Sequence, residues 1–198
     1  KIETLYERDE KTFKVRPVLK NRVYGIIKAW QWTEKIDGTN IRCIWKDGKI
    51  TFGGKTDNAQ IHADLIKHLY ETVKAENFEI VFPGASDVVL YGEGYGAGIQ
   101  KGGGNYSPTK KFILFDVLID DKWWLAWENV CDVAQRMALE TVPYFGEKTL
   151  EDATELVRSG FPSRLGTATA EGLVGRTVEA LFDKKGHRLI TKLKTKDF

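Results

Sequence analysis

The chain has few cysteines, few histidines and no long hydrophobic run. Its 198 residues include two cysteines, Cys43 and Cys131, which are not spaced as a Cys-x-x-Cys pair. This spacing excludes a disulfide scaffold and a zinc site built from thiolates, and a reducing, cytoplasmic setting is the default expectation. No apolar segment approaches the roughly 20 residues of a membrane-spanning helix, and no secretory signal is recognisable near the start. We therefore expect no membrane partner.

An excess of charge of either sign is also absent. Thirty basic and twenty-eight acidic residues give a formal net charge of +2. This balance does not by itself require a nucleic-acid partner, so any basic binding site must be local. The length fits one large domain or two small ones, and six Trp, ten Phe and seven Tyr supply side chains for a core or for stacking on flat ligands.

Strand patterns dominate the chain. Two segments predict hairpins, because apolar-patterned arms flank Asp47-Gly48 and Asp120-Asp121. The predicted strands and hairpins are residues 23–36, 40–54, 87–96, 111–127, 171–178 and 187–196, with a weak strand signal at 13–18. Apolar residues at helical spacing predict helices over 61–75, 128–140 and 149–160. The helices do not alternate with the strands, so we expect an α+β fold with antiparallel β-sheets and flanking helices.

Several familiar motifs are incomplete. GGKT (53–56) lacks the first glycine of a phosphate-binding loop, and GEGYGAG (92–98) is followed by more glycines where a dinucleotide-binding motif needs a helix. His62, His68 and His187 are scattered, and the six-residue spacing of the first two does not put them on one helix face. We expect no metal role for these histidines.

Five short elements occur in an order that carries chemistry. They are Lys35-Ile36-Asp37-Gly38, YGEG (91–94), FILFDVLI (112–119), EGLVGR (171–176) and TKLK (191–194). Each has an ordinary reading on its own: a solvated lysine before a turn, a glycine turn, a core strand, or an edge strand protected by lysines. Together they resemble the covalent nucleotidyltransferase superfamily of ATP-dependent DNA and RNA ligases and mRNA capping enzymes. EKIDGTN (34–40) most resembles the RNA ligase 2-like RNA ligases.

The resemblance implies a fold and an activity. The fold would be the ATP-grasp-like catalytic domain of ATP-dependent ligases, with residues 1–198 forming a single adenylyltransferase domain and no C-terminal oligonucleotide-binding or other domain. The activity would be RNA ligation with ATP and Mg²⁺ or Mn²⁺, in which AMP passes from a lysine to a 5′-phosphate and the end is sealed to a 3′-hydroxyl. We expect RNA ends as partners and a monomer, although the sequence leaves the oligomeric state open.

The resemblance makes Lys35 the nucleophile that forms lysyl-AMP. Only a neutral amine is nucleophilic, and burial or nearby positive charge favours the neutral form of a lysine. Lys192 and Lys194 flank one residue of a strand and therefore point the same way, so they could bind phosphates and repel a proton on Lys35. These three lysines are the expected catalytic residues.

The remaining roles also come from the resemblance. Glu34 would read the adenine amino group, Glu93 would accept a ribose hydroxyl, and Phe115 would stack on adenine. Glu171 would bind the divalent metal. These residues, with Lys35, Lys192 and Lys194, form the expected ATP site, whereas the role of Asp116 is open.

Two residues are expected at the substrate end. Asn40 resembles an asparagine that RNA ligases use in end joining. Lys55 stands where related RNA ligases carry an arginine, and a lysine keeps the charge but loses the bidentate geometry for phosphate.

Three readings remain open at this stage. The first is the RNA ligase, favoured over a DNA ligase by Thr39-Asn40, since DNA ligases usually have an arginine there. The second is a DNA ligase or a GTP-using capping guanylyltransferase. The third is a non-catalytic nucleotide- or RNA-binding module on the same fold.

Overall fold

The computed structural model describes residues 2–56 and 58–198. The chain forms two compact units, of which the first comprises Lys1–Ile36 and Pro143–Phe198 and the second comprises Asp37–Val142. Each unit contains a five-stranded sheet with helices packed beside it. This mixed architecture of antiparallel sheets and flanking helices confirms the expected fold class. None of the helices in the described part of the chain is long and apolar enough to cross a membrane.

The first unit is built from the two ends of the chain. Its elements are β1 (Glu3–Thr4), β2 (Tyr6–Arg8), β3 (Val15–Leu19), a 3-10 helix (Arg22–Ile26), β4 (Trp30–Lys35), β10 (Tyr144–Lys148), α4 (Leu150–Ser159), β11 (Gly172–Arg176), β12 (Ile190–Lys194) and a 3-10 helix (Thr195–Asp197). The main sheet has the order β1-β12-β11-β4-β10, and β2 and β3 form a separate hairpin. Only β1 pairs in parallel, so the central strands β11 and β4 run antiparallel to their neighbours.

The core of this unit lies between the main sheet and α4. Trp30 and Trp32 alternate along β4 and are fully buried, and they pack in one cluster with Ala153 and Val157 of the helix. The helix starts at Thr149, whose side chain accepts a hydrogen bond from the Asp152 backbone N–H. Its end at Gly160, with a φ of 73°, confirms the predicted stop.

The second unit is one continuous segment. Its elements are β5 (Thr39–Lys46), β6 (Lys49–Gly53), α1 (Ala63–Thr72), α2 (Ala75–Val81), β7 (Asp87–Tyr95), a 3-10 helix (Gly103–Asn105), β8 (Lys111–Ile119), β9 (Trp123–Trp124) and α3 (Trp127–Arg136). The sheet is antiparallel throughout, in the order β6-β5-β7-β8-β9. Ile41, Cys43 and Trp45 alternate on its buried face, where the Trp45 ring stacks on Phe78 of α2.

Both predicted hairpin turns are confirmed. Asp47 and Gly48 have positive φ values of 48° and 72°, as a two-residue turn between twisted strands requires. Asp120 and Asp121 both have a φ of 51°, although neither is a glycine. The Asp120 carboxylate accepts hydrogen bonds from the backbone N–H groups of Ser86 and Asp87, which lower its pKa.

Three parts of the fold differ from the sequence prediction. The start of the predicted strand 23–36 is a 3-10 helix, because the Asn21 side chain caps it and Tyr24 is buried edge-on against Trp30, with ring centroids 5.4 Å apart. The helix α2 and the strands β1, β2 and β10 were not predicted, since each is short and β10 carries an irregular register at Gly146. Asp37 and Gly38 connect strands of different sheets, so they do not form a hairpin turn.

Candidate active site

Lys35 is the last residue of β4, as the sequence predicted, and it lies in a row of residues across three strands. It pairs in register with Gly172 of β11, which in turn pairs with Lys194 of β12. Because residues opposite one another share a face of a sheet, the two lysine side chains leave the same face on either side of a glycine. The glycine leaves the space between them without a side chain.

Glu171 joins the two lysines. Its Oε2 lies 2.5 Å from Nζ of Lys35, and its Oε1 lies 3.0 Å from Nζ of Lys194. The three side chains are 14 to 22% exposed, so the group is sheltered but open to solvent. One carboxylate between two ammonium groups leaves a net positive charge, which suits an anionic ligand such as a phosphate.

Gly172 is required by the backbone around this group. Its φ is 154°, and a Cβ at this position would lie 2.0 Å from the Leu193 carbonyl oxygen. No side chain fits there, because such a contact is well inside the van der Waals distance. The close approach of β11 and β12 therefore depends on the glycine that follows Glu171.

Lys192 lies on the same face as Lys194, as predicted. It is opposite Val174, one step along β12 from the pair formed by Lys194 and Gly172. Leu193, between the two lysines, is 2% exposed and faces the core. The alternation puts both lysines on the face of the sheet that carries Lys35.

Glu34 points to the opposite face of β4 and is 2% exposed. Its Oε1 accepts a hydrogen bond from the Ser163 hydroxyl at 2.5 Å, and its Oε2 accepts one from the Arg164 backbone N–H at 2.9 Å. The Ser163 hydroxyl oxygen in turn accepts a hydrogen bond from the Leu165 backbone N–H. Glu34 therefore holds a turn of the chain. Its expected contact with adenine stays a prediction.

In the second unit, Asn40 and Glu93 are opposite each other on β5 and β7. Glu93 is flanked by Gly92 and Gly94, and a Cβ on either glycine would lie 2.3 or 2.4 Å from a neighbouring side chain. Both glycines of the YGEG element are therefore needed for packing. The arrangement leaves Asn40 and Glu93 on one face of the sheet, partly exposed.

Phe115 occupies a β-bulge. Tyr91 pairs with Asp116 and Gly92 pairs with Leu114, so Phe115 is one extra residue in β8. A bulge redirects a side chain and often occurs near functional sites. Phe115 is partly exposed, whereas its neighbours Leu114 and Asp116 are buried.

Comparison with known proteins identifies the same family as the five sequence elements. The sequence model of the RNA ligase family matches residues 28–194. The chain belongs to the RNA ligase family. This confirms the resemblance that the five sequence elements suggested.

The fold of this RNA ligase family member is similar to that of solved structures of Naegleria gruberi RNA ligase. A lysine variant with AMP and Mn has a TM-score of 0.69 at 19% identity and covers 98% of this chain and 59% of that chain. A variant without ligand has a TM-score of 0.68 at 21% identity, with coverage of 97% and 58%. A variant with ATP and Mn has a TM-score of 0.65 at 20% identity, with coverage of 96% and 58%.

The chain thus spans under two thirds of the length of these proteins, and the similarity at this identity concerns the fold. A search of curated protein sequences finds no match.

Apart from Glu34, which faces the core, the predicted site residues fall into two groups. Lys35, Glu171 and Lys194 form one bonded cluster, with Lys192 beside them on the same sheet of the first unit. The second group, on the sheet of the second unit and the residues after it, contains Asn40, Lys55, Glu93 and Phe115.

Arg42 lies on β5 beside this second group, and it was not among the predicted site residues. Its Nε donates a hydrogen bond to the Gly54 carbonyl oxygen at 2.8 Å, whereas Lys55, which follows Gly54, is exposed. Arg42 is two residues from Asn40 on the same face of β5. This period-two spacing was a signal that could have identified it.

The lysine cluster offers one carboxylate, that of Glu171, to a divalent metal. No group of three or more His, Cys, Asp or Glu side chains suited to a metal exists among residues 2–56 and 58–198. Mg²⁺ in nucleotide-dependent enzymes often takes one or two carboxylates and completes its coordination with substrate phosphates and water. Glu171 fits this requirement through its carboxylate oxygens.

Proposed function

We propose that this member of the RNA ligase family is an ATP-dependent RNA ligase that forms a covalent lysyl-AMP on Lys35. The observation that carries the proposal is the cluster of Lys35, Glu171 and Lys194, in which an amine at a strand end lies within hydrogen-bonding distance of a carboxylate that a second lysine also binds. The family and the fold support the same activity.

In the first step, Nζ of Lys35 attacks the α-phosphorus of ATP. A nitrogen–phosphorus bond forms, the bond from the α-phosphorus to the bridging oxygen breaks, and pyrophosphate leaves. Before the attack the Lys35 ammonium must release Glu171 and lose a proton, because only the neutral amine is nucleophilic. The positive charges of Lys192 and Lys194 on the same face stabilise phosphate charge.

Glu171 is the residue that would hold a divalent cation. When bound, Mg²⁺ or Mn²⁺ would neutralise charge on the phosphate oxygens of ATP. The support for this role is the donor type, since carboxylate oxygens are ligands that Mg²⁺ takes together with phosphates and water.

Residues of the second unit supply the other proposed contacts. Phe115, redirected by its bulge, stacks on adenine, and Glu93 accepts a hydrogen bond from a ribose hydroxyl. Asn40 and Lys55 contact the substrate end during sealing. Glu34 is the proposed reader of adenine, and its two oxygens accept hydrogen bonds from Ser163 and Arg164 in this structure.

In the later steps AMP passes from Lys35 to the 5′-phosphate of an RNA. The 3′-hydroxyl of a second end attacks this activated phosphate, a phosphodiester forms and AMP leaves. Residues 1–198 would act as one adenylyltransferase domain in a reducing, cytoplasmic setting.

The deciding experiment is the intact mass of the protein after incubation with ATP and Mg²⁺. The native protein gains one AMP unit, and Lys35→Ala does not. Lys49→Ala, which removes an exposed lysine of β6, is the matched control and should gain AMP like the native protein. The absence of an adduct on the native protein, together with measurable ATP binding, would favour a non-catalytic binding module.

Parallel reactions separate the other members of the superfamily. GTP in place of ATP tests the guanylyltransferase, and nicked DNA in place of RNA with a 5′-phosphate tests the DNA ligase. Labelling by GTP alone, or sealing of DNA alone, would overturn the RNA ligase assignment.

A further inference from the structure

One segment of the chain departs sharply from its overall charge balance. Residues 11–28 contain six basic residues and no acidic residue, whereas the whole chain has thirty basic and twenty-eight acidic residues. All six are exposed, and none forms a salt bridge within residues 2–56 and 58–198. They are Lys11, Lys14, Arg16, Lys20, Arg22 and Lys28. We call this segment with its exposed side chains the basic surface.

Apolar side chains are exposed in the same segment. Phe13 is 67% exposed and Ile26 is 77% exposed, and Val18 and Val23 are also more than two fifths exposed. Single exposed apolar residues are common, but several within a short basic segment are typical of a contact surface. Cationic and apolar groups together suit a ligand that has both charge and flat apolar faces.

The basic surface is fixed to the body of the first unit. The Lys20 backbone N–H donates to the Leu5 carbonyl oxygen at 2.9 Å, and Tyr24 is 2% exposed and packed against Trp30. The Asn21 side chain caps the 3-10 helix that carries Arg22. The exposed side chains therefore extend from an anchored backbone.

A groove with a volume of about 680 Å³ runs beside this segment. Its lining includes the apolar and aromatic residues Tyr6, Leu19 and Phe198 and the basic residues Arg16, Lys28 and Arg158. Glu151 is the one acidic side chain among its lining residues. A groove of this size accommodates a nucleobase, with aromatic and apolar atoms below it and cations around it.

The groove lies away from the lysine cluster. Tyr6, Leu19 and Phe198 of the groove pack against the core on the α4 side of the main sheet. Lys35 and Lys194 leave the opposite face of that sheet. The match to the RNA ligase family begins at residue 28, so nearly all of the basic surface precedes it. The basic surface is therefore a second site, separate from the group around Lys35.

We propose that the basic surface and its groove bind single-stranded RNA at a distance from the nucleophile. This inference rests on the proposed function for the identity of the ligand and adds to it a second contact with the RNA substrate. Cations of residues 11–28 neutralise backbone phosphates, and a base enters the groove against Tyr6 and Phe198. RNA fits better than a membrane, because the segment is a hairpin and a short 3-10 helix rather than a long amphipathic helix.

The test is the binding of a fluorescent single-stranded RNA of about 20 nucleotides to the full chain, measured by anisotropy over a series of salt concentrations. The test variant carries Arg16→Ala, Lys20→Ala, Arg22→Ala and Lys28→Ala. The control variant carries the same number of changes at exposed lysines elsewhere: Lys67→Ala, Lys74→Ala, Lys122→Ala and Lys185→Ala. Both variants lose four positive charges. A difference between their RNA affinities therefore distinguishes a local binding site from general electrostatic attraction between the protein and RNA.

The test variant should bind RNA at least about tenfold more weakly at low salt. The slope of log K against log salt should flatten by about 3, since the variant loses four cations and each phosphate contact to a single strand contributes roughly 0.7. The control variant should keep the native affinity. A second variant, Arg16→Gln with Lys28→Gln, removes two charges but keeps polar side chains, and it should give a smaller loss of the same kind. Equal loss in the test and control variants, or no loss in either, would overturn the proposal.

Two further measurements complete the test. Binding to phosphatidylserine vesicles that depends on the basic surface, without RNA binding, would replace RNA with a membrane and overturn the proposal. Lysyl-AMP formation, followed by intact mass, should be unchanged in the test variant, because none of its residues belongs to the lysine cluster. A selective loss of RNA binding in a protein that forms no lysyl-AMP would support this inference and reject the proposed ligase, whereas lysyl-AMP formation with unchanged RNA binding would do the reverse.

Discussion

The Nζ of Lys35 and the Oε2 of Glu171 lie 2.5 Å apart, although 136 residues separate them in the chain. The contact is possible because β4 and β11 are neighbours in the sheet and Gly172, directly after Glu171, pairs with Lys35. A second lysine, Lys194, binds the other oxygen of the same carboxylate. The carboxylate thus balances only one of two neighbouring positive charges.

Replacement of this carboxylate should reduce catalysis far more than stability. Glu171→Gln keeps the size of the side chain and removes its charge, so we expect the rate of lysyl-AMP formation to fall about 100-fold. The free energy of unfolding should change by no more than about 1 kcal/mol, because the ion pairs are partly exposed. Intact mass over time and denaturant unfolding measure the two effects. Glu151→Gln, in the same unit, is the control, and a native rate in Glu171→Gln would contradict the prediction.

Gly172→Ala should destabilise the first unit strongly. The added Cβ would lie 2.0 Å from the Leu193 carbonyl oxygen, and we expect a loss of about 3 kcal/mol or more in the free energy of unfolding. Gly186→Ala is a matched control, because this glycine also has a positive φ but no atom within 4 Å of the new Cβ. It should cost about 1 kcal/mol from backbone strain alone. Urea unfolding measures the free energy of unfolding of both variants. Equal losses would show that the contact with the Leu193 carbonyl oxygen does not affect stability.

Ser163→Ala removes one of two hydrogen bonds to the buried Glu34. Leaving a buried carboxylate short of a donor should cost about 1–3 kcal/mol in the free energy of unfolding. A double-mutant cycle with Glu34→Gln, measured by denaturant unfolding, should show coupling between the two residues. Additive effects would mean that the short contact contributes nothing. The ratio of ATP to GTP labelling in Glu34→Gln separately tests whether this side chain reads adenine.

Phe115→Ala should weaken ATP binding. Stacking of a base on an aromatic ring contributes roughly 1–3 kcal/mol, so the dissociation constant of ATP should rise by about tenfold or more. Phe115→Tyr retains the ring and should restore most of the affinity. Phe182→Ala, which removes a 47% exposed ring, is the control. Calorimetric titration with ATP gives the values, and an unchanged affinity in Phe115→Ala would reject the stacking role.

The two cysteines should differ in reactivity. Cys43 is 0% exposed, and burial raises the pKa of its thiol, so the reactive thiolate does not form at mildly alkaline pH. Cys131 is partly exposed. In the native protein we expect iodoacetamide to label Cys131 alone up to pH 9, and both thiols after unfolding in guanidinium. Peptide mapping by mass spectrometry assigns the labels, and native labelling of Cys43 would contradict its burial.

Local sequence signals were sufficient where neighbouring residues determine the structure. Asp47-Gly48 favours positive φ at both positions, and Gly160 ends a helix whose apolar residues recur at helical spacing. The prediction for residues 23–26 was wrong because their β-branched and aromatic residues favour a strand, whereas the burial of Tyr24 against Trp30 determines the 3-10 helix. That contact is a tertiary effect, and propensity does not contain it.

The candidate active site shows the same difference between features set by local sequence and features set by tertiary contacts. The alternation of Lys192 and Lys194 follows from the two-residue period of a strand, so their common face was predictable. The partners of Glu34 were not, because Ser163 is 129 residues away and belongs to an irregular segment. The bulge at Phe115 could not be predicted from local sequence either, since it depends on the register between β7 and β8.

The strand order of the first unit has a consequence for protein synthesis. Its sheet places β4, made early, beside β11, made late, while the second unit is one uninterrupted stretch between them. On the ribosome, residues 37–142 emerge together and can begin to fold, but β4 must wait for residues 144–148 before it gains one neighbour and for residues 172–176 before it gains the other. Until then the apolar face that carries Trp30 and Trp32 lacks its partners. We therefore expect this apolar face to stay exposed until α4 and β11 have been made.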